Sequence, residues 1–304
     1  MRNTKTAADL RRHFFIRKNL HIYKIKKQEG TNMVDFSKSN WQQEFDEKQL
    51  NQILLGFENN LTPEQIAVYA DPKFDNAQMR QIRTGFKNGL TMEQVVVYAD
   101  QKFDADQMWE VRVGFEDGLT MEQVAVYADP KFNWNQMKQI RLGLENGLAI
   151  EPVAFYADSK FDSDQMLEIR LGFKNGFTME QVAVYANSKF DSKQMEQIRT
   201  SFKNGLTMEQ VAVHADPKFD SKQMEQIQKG FENGLTMEQV AGYADPKFNW
   251  NQMWKIRLGL EEKLSSVQKT QSSEGKPLSI NDKLNALEAG RKLASVTAKD
   301  DIIK

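Results

Sequence analysis

The chain has 304 residues, no cysteine, and a near balance of 41 Lys and Arg against 42 Asp and Glu. The missing cysteines exclude disulfide bonds and thiolate metal sites. No apolar run is long enough to cross a membrane, and no signal-peptide core is visible. We therefore expect a cytoplasmic protein with no membrane partner.

The first 32 residues differ in charge from everything that follows. They carry nine Lys or Arg and two Asp or Glu, a net of +7, whereas residues 33–264 carry −10 and residues 265–304 carry +2. A basic arm of this kind is typical of nucleic-acid binding. In the alternative, the codons for 28–30 can contain a bacterial ribosome-binding sequence just ahead of Met33. On that hypothesis translation starts at Met33, and residues 1–32 are an untranslated leader.

Residues 33–44 are predicted to cap a repeated array that occupies residues 45–264. A segment of 29 residues is repeated there seven and a half times, because the eighth copy stops after its first half. A fixed period in this range is typical of stacked copies that bury their apolar faces against each other. The copies begin at Phe45, Phe74, Phe103, Phe132, Phe161, Phe190, Phe219 and Phe248.

Each copy contains start and stop signals for two helices. In the second copy Asp75 and Gln78 form a capping box, and Gly89 ends a helix of about 13 residues. Thr91 and Gln94 form a second box, which starts a helix of about 8 residues. The pattern predicts an all-α fold, an α-solenoid of tandem 29-residue helical hairpins.

Two departures from helix rules lead to separate expectations. In the fourth copy Ala149 replaces the capping Thr and Pro152 replaces its Gln, so we expect that helix to fray. A glycine also recurs in the middle of the first helix, where it costs about 1 kcal/mol against alanine. We expect it to allow close packing with the neighbouring hairpin; the alternative is drift copied by duplication. The glycines are Gly56, Gly85, Gly114, Gly143, Gly172, Gly230 and Gly259, with Ser201 in the remaining copy.

The chain beyond the array is predicted to be a linker, a helix and a tail. Residues 265–278 are rich in Ser, Gln and Lys, which is typical of a linker, and residues 297–304 form the tail. Residues 279–296 read as an amphipathic helix, since Ile280, Leu284 and Leu287 recur at helical spacing. This helix either docks on the array as a cap or binds a partner.

The consensus Phe-Asp-x-x-Gln-Met-x-x-Ile-Arg-x-Gly, followed by Tyr-Ala-Asp-Pro-Lys, resembles short helical repeats in proteins of Gram-positive gut bacteria. Such proteins are often encoded near conjugative or phage-like elements. The segment Leu278–Leu284 is similar to their C-terminal segments. The resemblance implies a helical-hairpin array that serves a mobile element, and it brings no catalytic residues with it.

The sequence offers little material for catalysis. His13 and His21 lie in residues 1–32, and His214 replaces a recurrent Tyr. Asp pairs such as Asp71 and Asp75 lack the dense oxygen-ligand loop of calcium sites, and helix capping explains them. We expect no enzyme, no cofactor and no metal.

Tryptophan marks the candidate contacts with a protein partner. The residues stand at the first or fifth position of the first helix, which share a face, and exposed Trp is a favoured interface anchor. The alternative is packing against flanking segments, including the tail helix for the last pair. The leading interpretation is a non-enzymatic protein-interaction scaffold, whose candidate contacts are Trp109, Trp134, Trp250 and Trp254.

Arginine and lysine rows support an alternative function. A regular row of cations could follow a phosphate backbone, so a nucleic-acid-binding repeat protein is the second interpretation. Ion pairs within the net acidic array explain the same rows structurally. A third interpretation is an inhibitor of a host defence enzyme, which the sequence does not separate from the scaffold. The candidate nucleic-acid contacts are Arg83, Arg112, Arg141, Arg170, Arg199 and Arg257.

Overall fold

The computed structural model describes residues 41–274. Those residues form fifteen α-helices, one 3-10 helix and no β-strand, which confirms the all-α class for this part of the chain. The chain divides into two compact units between Gly205 and Leu206. The predictions for residues 1–40 and for the helix and tail at 279–304 lie outside the described residues.

The described part of the first unit begins with a 3-10 helix, Trp41–Glu44, in which the buried Trp41 contacts Phe45 edge to face. Helices of 12 residues then alternate with helices of 5 or 7 residues. They are α1 Glu47–Glu58, α2 Pro63–Tyr69, α3 Asn76–Lys87, α4 Met92–Val96, α5 Ala105–Glu116, α6 Met121–Ala125, α7 Trp134–Glu145, α8 Ile150–Tyr156, α9 Ser163–Lys174, α10 Met179–Tyr185 and α11 Ser192–Lys203.

In the second unit the alternation continues, and the last helix of the described residues has 25 residues. We call the odd-numbered helices the long helices and the even-numbered ones the short helices. The short helices are somewhat shorter than the sequence predicted. The second unit holds α12 Met208–Ala212, α13 Ser221–Glu232, α14 Met237–Ala241 and α15 Trp250–Glu274.

The capping boxes set the helix starts where the sequence placed them. The Asp75 carboxylate accepts from the backbone N–H of Gln78 at 2.8 Å, and the Gln78 side chain accepts from the backbone N–H of Asp75 at 2.8 Å. Thr91 and Gln94 make the same reciprocal pair at the start of α4. Gly89 ends α3 with φ of +92°, a conformation that costs a glycine little.

The start of α8 lacks its cap, as the sequence indicated. Ala149 makes no side-chain capping bond, yet α8 still spans Ile150–Tyr156. The predicted absence of a capping box is confirmed, whereas fraying of this helix stays a prediction.

Helices pack in series within each unit. In the first unit each long helix packs against the next long helix, and each short helix packs against the long helix before it. In the second unit α13 packs against α14 and α15. The second copy shows the core that results, since its five most deeply buried apolar residues are at most 4% exposed and recur at helical spacing. They are Met79, Ile82, Phe86, Val95 and Tyr98.

The mid-helix glycine makes room for a tyrosine of its own hairpin. A Cβ placed on Gly114 would lie 1.9 Å from the Oη of Tyr127, and that hydroxyl donates to the carbonyl of Glu110 at 3.3 Å. Close packing is thus confirmed, but the predicted neighbour was wrong: a side chain folds back from the same hairpin. In the sixth copy both residues change, to Ser201 and His214. Burial there lowers the pKa of His214 to about 4.

The last long helix does not stop where the others do. The usual Asn-Gly is replaced by Glu262 and Lys263, so no residue favours the left-handed end and α15 runs on to Glu274. This corrects the linker predicted at 265–278, because residues 265–274 are helical. Ser, Gln and Lys do not interrupt a helix that has already started.

A candidate protein-binding surface on the long helices

The first, fifth and ninth residues of each long helix share one outward face. In three neighbouring helices of the first unit, α5, α7 and α9, this face carries large apolar side chains. Both tryptophans on it are exposed, and its aliphatic residues are half-buried. We call these residues the central patch: Trp109, Val113, Trp134, Leu142, Leu167 and Leu171.

Both tryptophans of the central patch are available to a partner. Trp109 and Trp134 are each 39% exposed, which is high for a side chain that usually buries most of its surface. The guanidinium carbon of Arg141 lies 5.7 Å from the centre of the Trp109 ring, a cation–π contact that holds the ring in place. A pre-positioned ring loses less entropy on binding.

A second apolar area lies at the start of the last helix. Trp250 and Trp254 are 43% and 40% exposed, and Leu258 continues the same face. The ammonium group of Lys222 lies 5.5 Å from the centre of the Trp250 ring. We call Trp250, Trp254 and Leu258 the terminal patch. Each patch belongs to a different unit.

Other long helices carry polar residues at the same three positions. The face of α11 holds Ser192, Glu196 and Thr200 at the positions where α5 holds Ala105, Trp109 and Val113. The positions in α3 and α13 are likewise polar, with Asn76, Arg80 and Thr84 in one and Ser221, Glu225 and Lys229 in the other. The apolar character of the patches is therefore not required by the helix that carries them.

The arginine row lies between long helices rather than on the surface. Each Nε donates to the Gln or Glu side chain that stands two residues before the Arg position in the preceding copy, at 2.7–3.3 Å. Arg112, Arg141, Arg170 and Arg257 are only 5–8% exposed, and Arg83 and Arg199 are half-buried. A phosphate would have to displace these bonds, so the row offers little to a nucleic acid.

Two of these contacts are ion pairs, the first buried and the second partly buried. Arg141 binds Glu110 at 2.8 Å, and Arg199 binds Glu168 at 2.7 Å. Burial raises the pKa of the Glu110 carboxyl, and the Arg141 guanidinium opposes that rise. Oε1 of Glu110 has no partner among the described residues, which adds to the cost of its charge.

Sequence reasoning missed a second role of the capping-box glutamines. The amide nitrogen of Gln107 donates to the carbonyl of Phe132, in the next copy, at 2.6 Å. The equivalent bonds measure 2.6–2.7 Å in five other copies. One side chain thus starts its own helix and fixes the turn of the following copy. The signal was present, since Gln is kept at this position in all eight copies.

The lysine row behaves differently from the arginine row. Lys131, Lys160 and Lys218 are more than half exposed, and each lies near an Asp two residues earlier, at 2.9–3.8 Å. Such surface pairs contribute little to stability. These lysines remain accessible, but their charge is largely offset within the same turn.

A row of exposed methionines also escaped the sequence analysis. They occupy the first residue of five short helices and are 36–47% exposed. Methionine makes adaptable apolar contacts. Unlike the patches on the long helices, this row is nearly the same in every copy. Its members are Met92, Met121, Met179, Met208 and Met237.

Comparisons with protein-family models, with curated proteins and with solved structures find no match to this chain. Within residues 41–274 no helix combines the length and the apolar character that crossing a membrane requires. What the protein does must therefore be inferred from its own residues.

Proposed function

We propose that this chain is a non-enzymatic protein-interaction scaffold, an α-solenoid of tandem 29-residue helical hairpins that acts in the cytoplasm. It binds a protein partner through the outward face of its long helices. The partner brings apolar side chains to the tryptophans, and two patches on one chain would raise its affinity by multivalency. The resemblance to repeat proteins of conjugative and phage-like elements suggests that it serves such an element.

The exposed tryptophans carry this proposal. Trp109 and Trp134 are exposed although the same positions in other copies hold Ser, Glu or Asn without any change to the helix. A large apolar side chain on the surface costs solubility and gains no fold stability. Binding of a protein surface is the ordinary use of such residues, because Trp is enriched among the residues that dominate interface energies.

Affinity capture from a bacterial lysate, with and without nuclease, tests the proposal. The informative variant combines Trp109→Glu and Trp134→Ser, which are the residues that the sixth copy holds at these positions. The matched control combines Ser192→Ala and Glu196→Ala on the polar face of α11. We expect a stoichiometric protein that survives nuclease, that the double tryptophan variant captures at least about ten-fold less, and that the control retains.

Other outcomes distinguish the alternatives. A partner retained by the tryptophan variant would mean that the central patch is not the binding surface. Recovery that is mainly nucleic acid, lost on nuclease treatment, would favour the nucleic-acid alternative despite the burial of its arginines. A captured defence enzyme whose activity falls on binding would specify the scaffold as an inhibitor.

A further inference from the structure

The last long helix leaves a core face uncovered. Ile256 is 37% exposed, whereas the residue at its position is fully buried in each of the other seven copies. Gln252 is exposed too, although its seven equivalents are at most 8% exposed. Leu260 and Leu264 continue the stripe at helical spacing and are half-buried. This face, Ile256, Leu260 and Leu264, is the one that a short helix and a following copy would cover; we call it the end face.

The polar residues around the end face are not those that receive another copy. Lys255 stands where the other copies hold the Gln or Glu that accepts from the next Arg. A further copy would place its guanidinium against this ammonium group, and like charges repel. The apolar residues of the core are kept, however. The end face is therefore built for a cover of another kind.

The first copy, unlike the last, has a cover of its own, which argues against a second chain as the cover of the end face. Trp41 is 3% exposed and packs on Phe45 ahead of the first long helix. In that first copy Leu54 replaces the Arg that would reach back to a preceding copy. The first copy thus lacks the Arg donor and the last copy lacks the acceptor, so neither offers the bond that joins two copies.

We propose that residues 279–296 of this chain fold back along α15 and cover the end face. Their apolar residues recur at helical spacing, and Gly275 and Pro277 precede them, as expected where one helix ends and the chain reverses. A helix over 279–293 is about 22 Å long, so an antiparallel return from Glu274 reaches as far as about Leu260. Three residues more bring it close to Ile256.

The docked segment leaves the terminal patch open. Ile256 lies two residues beyond Trp254, and residues so spaced do not share a helix face. The proposal is thus independent of the proposed scaffold function, and it specifies which face of α15 the tail covers.

Hydrogen exchange of the full chain, read by mass spectrometry, tests the fold-back. We expect amides in 279–296 to exchange at least about ten-fold more slowly than in an unstructured chain. Ile256→Asp and Leu287→Asp should each remove that protection. Their controls, Asn251→Asp on α15 and Asn285→Asp in the tail, should keep it.

Three results would overturn the proposal. One is an unprotected 279–296 segment in the unaltered chain. Another is protection that both aspartate variants keep. The third is protection that rises with protein concentration along with a dimer in sedimentation, since a second copy would then be the cover. If Ile256→Asp disturbs α15 itself, which protection across residues 250–262 reports, Leu287→Asp decides the matter because it leaves α15 unchanged.

Discussion

The inner and outer faces of the long helices can be compared copy by copy, because the same backbone lies beneath both. On the inner face Gln107, Glu110 and Gly114 have equivalents in almost every copy, and each contacts a named group of its own or a neighbouring copy. On the outer face the same helices hold Trp, Ser, Glu or Lys at equivalent positions. The inner face joins copies, whereas the outer face is free to specify a partner.

This difference indicates which substitutions affect the stability of the array and which bear on binding. A change on the inner face can come with a second change, since Ser201 and His214 replace the recurrent Gly and Tyr in the same copy. A change on the outer face needs no matching change. The two faces should therefore respond differently to substitution, with large losses of stability inside and almost none outside.

Substitution of the mid-helix glycine should cause the largest loss of stability. Gly114→Ala places a Cβ 1.9 Å from the Tyr127 hydroxyl, so the buried tyrosine ring or the short helix that carries it must shift. We expect the free energy of unfolding to fall by about 2 kcal/mol, measured by chemical denaturation. Adding Tyr127→Phe removes the clashing oxygen and should recover part of the loss.

The last helix provides the matched control for this substitution. No described atom lies within 4 Å of a Cβ at Gly259. Gly259→Ala should leave stability unchanged or raise it by up to about 1 kcal/mol, because alanine is the better helix former. Equal losses for both substitutions would mean that helix bending, and not the tyrosine, explains the glycine.

The glutamine that joins successive copies should be next in effect. Gln107→Glu keeps the acceptor that caps α5 but replaces the amide donor with an oxygen that faces the carbonyl of Phe132. The carbonyl of Phe132 is then buried without a donor, so the free energy of unfolding should fall by about 2 kcal/mol, measured by chemical denaturation.

The same substitution in the last copy isolates the contact from the cap. Gln252 makes the capping bonds, and it is exposed. Gln252→Glu should therefore change stability by less than about 0.5 kcal/mol. A loss as large as that of Gln107→Glu would place the effect in the capping box instead.

Local signals in the sequence predicted most of the helices. The features that could not be predicted depend on contacts between copies. Asp75 and Gln78 identify a helix start by their spacing alone. The bond from Gln78 to the carbonyl of Phe103 could not be read in this way, because it depends on how the next turn lies against the helix. The tyrosine partner of the glycine was readable in principle, since Ser201 and His214 replace both residues together.

The candidate site was less predictable than the fold. Spacing placed Trp109 and Trp134 on one face, and it puts Leu142 and Leu171 there as well. The sequence did not show how much of each side chain is exposed, because that depends on packing between copies. The period of 29 could not decide between the two interpretations of the arginine row, because it is the same for residues that face water and residues that join copies. The ends of the row held a clue: Leu54 replaces the first Arg and Lys255 replaces the last acceptor.

The buried ion pair between Glu110 and Arg141 should make stability depend on pH. This effect should be smaller than that of the glycine or the glutamine substitution. Burial raises the pKa of Glu110 above its ordinary value of 4.5, so the folded chain holds this proton more tightly than the unfolded chain does. The free energy of unfolding contributed by this group therefore falls as pH rises from about 4.5 to the raised pKa, and is constant above it. Glu110→Gln removes this dependence, and other copies already hold Gln at the position.

The measurement is the difference in unfolding free energy between Glu110→Gln and the unaltered chain, taken from pH 4 to pH 8. We expect the variant to gain relative stability across the titration of Glu110 and to keep a constant difference above it. Subtraction cancels the titration of all other carboxylates. A difference that decreases with rising pH would show that Arg141 lowers the pKa of Glu110 overall, and that the ion pair outweighs burial.

Substitution on the outer face should have the smallest effect on stability. Trp134→Ser introduces the residue that α9, α11 and α13 hold at the same position, where each helix forms with an intact capping box. We expect the unfolding midpoint in denaturant to correspond to a change of less than about 0.5 kcal/mol. Trp41→Ser is the contrasting control, since Trp41 is 3% exposed and its loss should destabilise the chain. A large loss for Trp134→Ser would mean that the ring stabilises the array itself, and the central patch would then lose its main support as a partner surface.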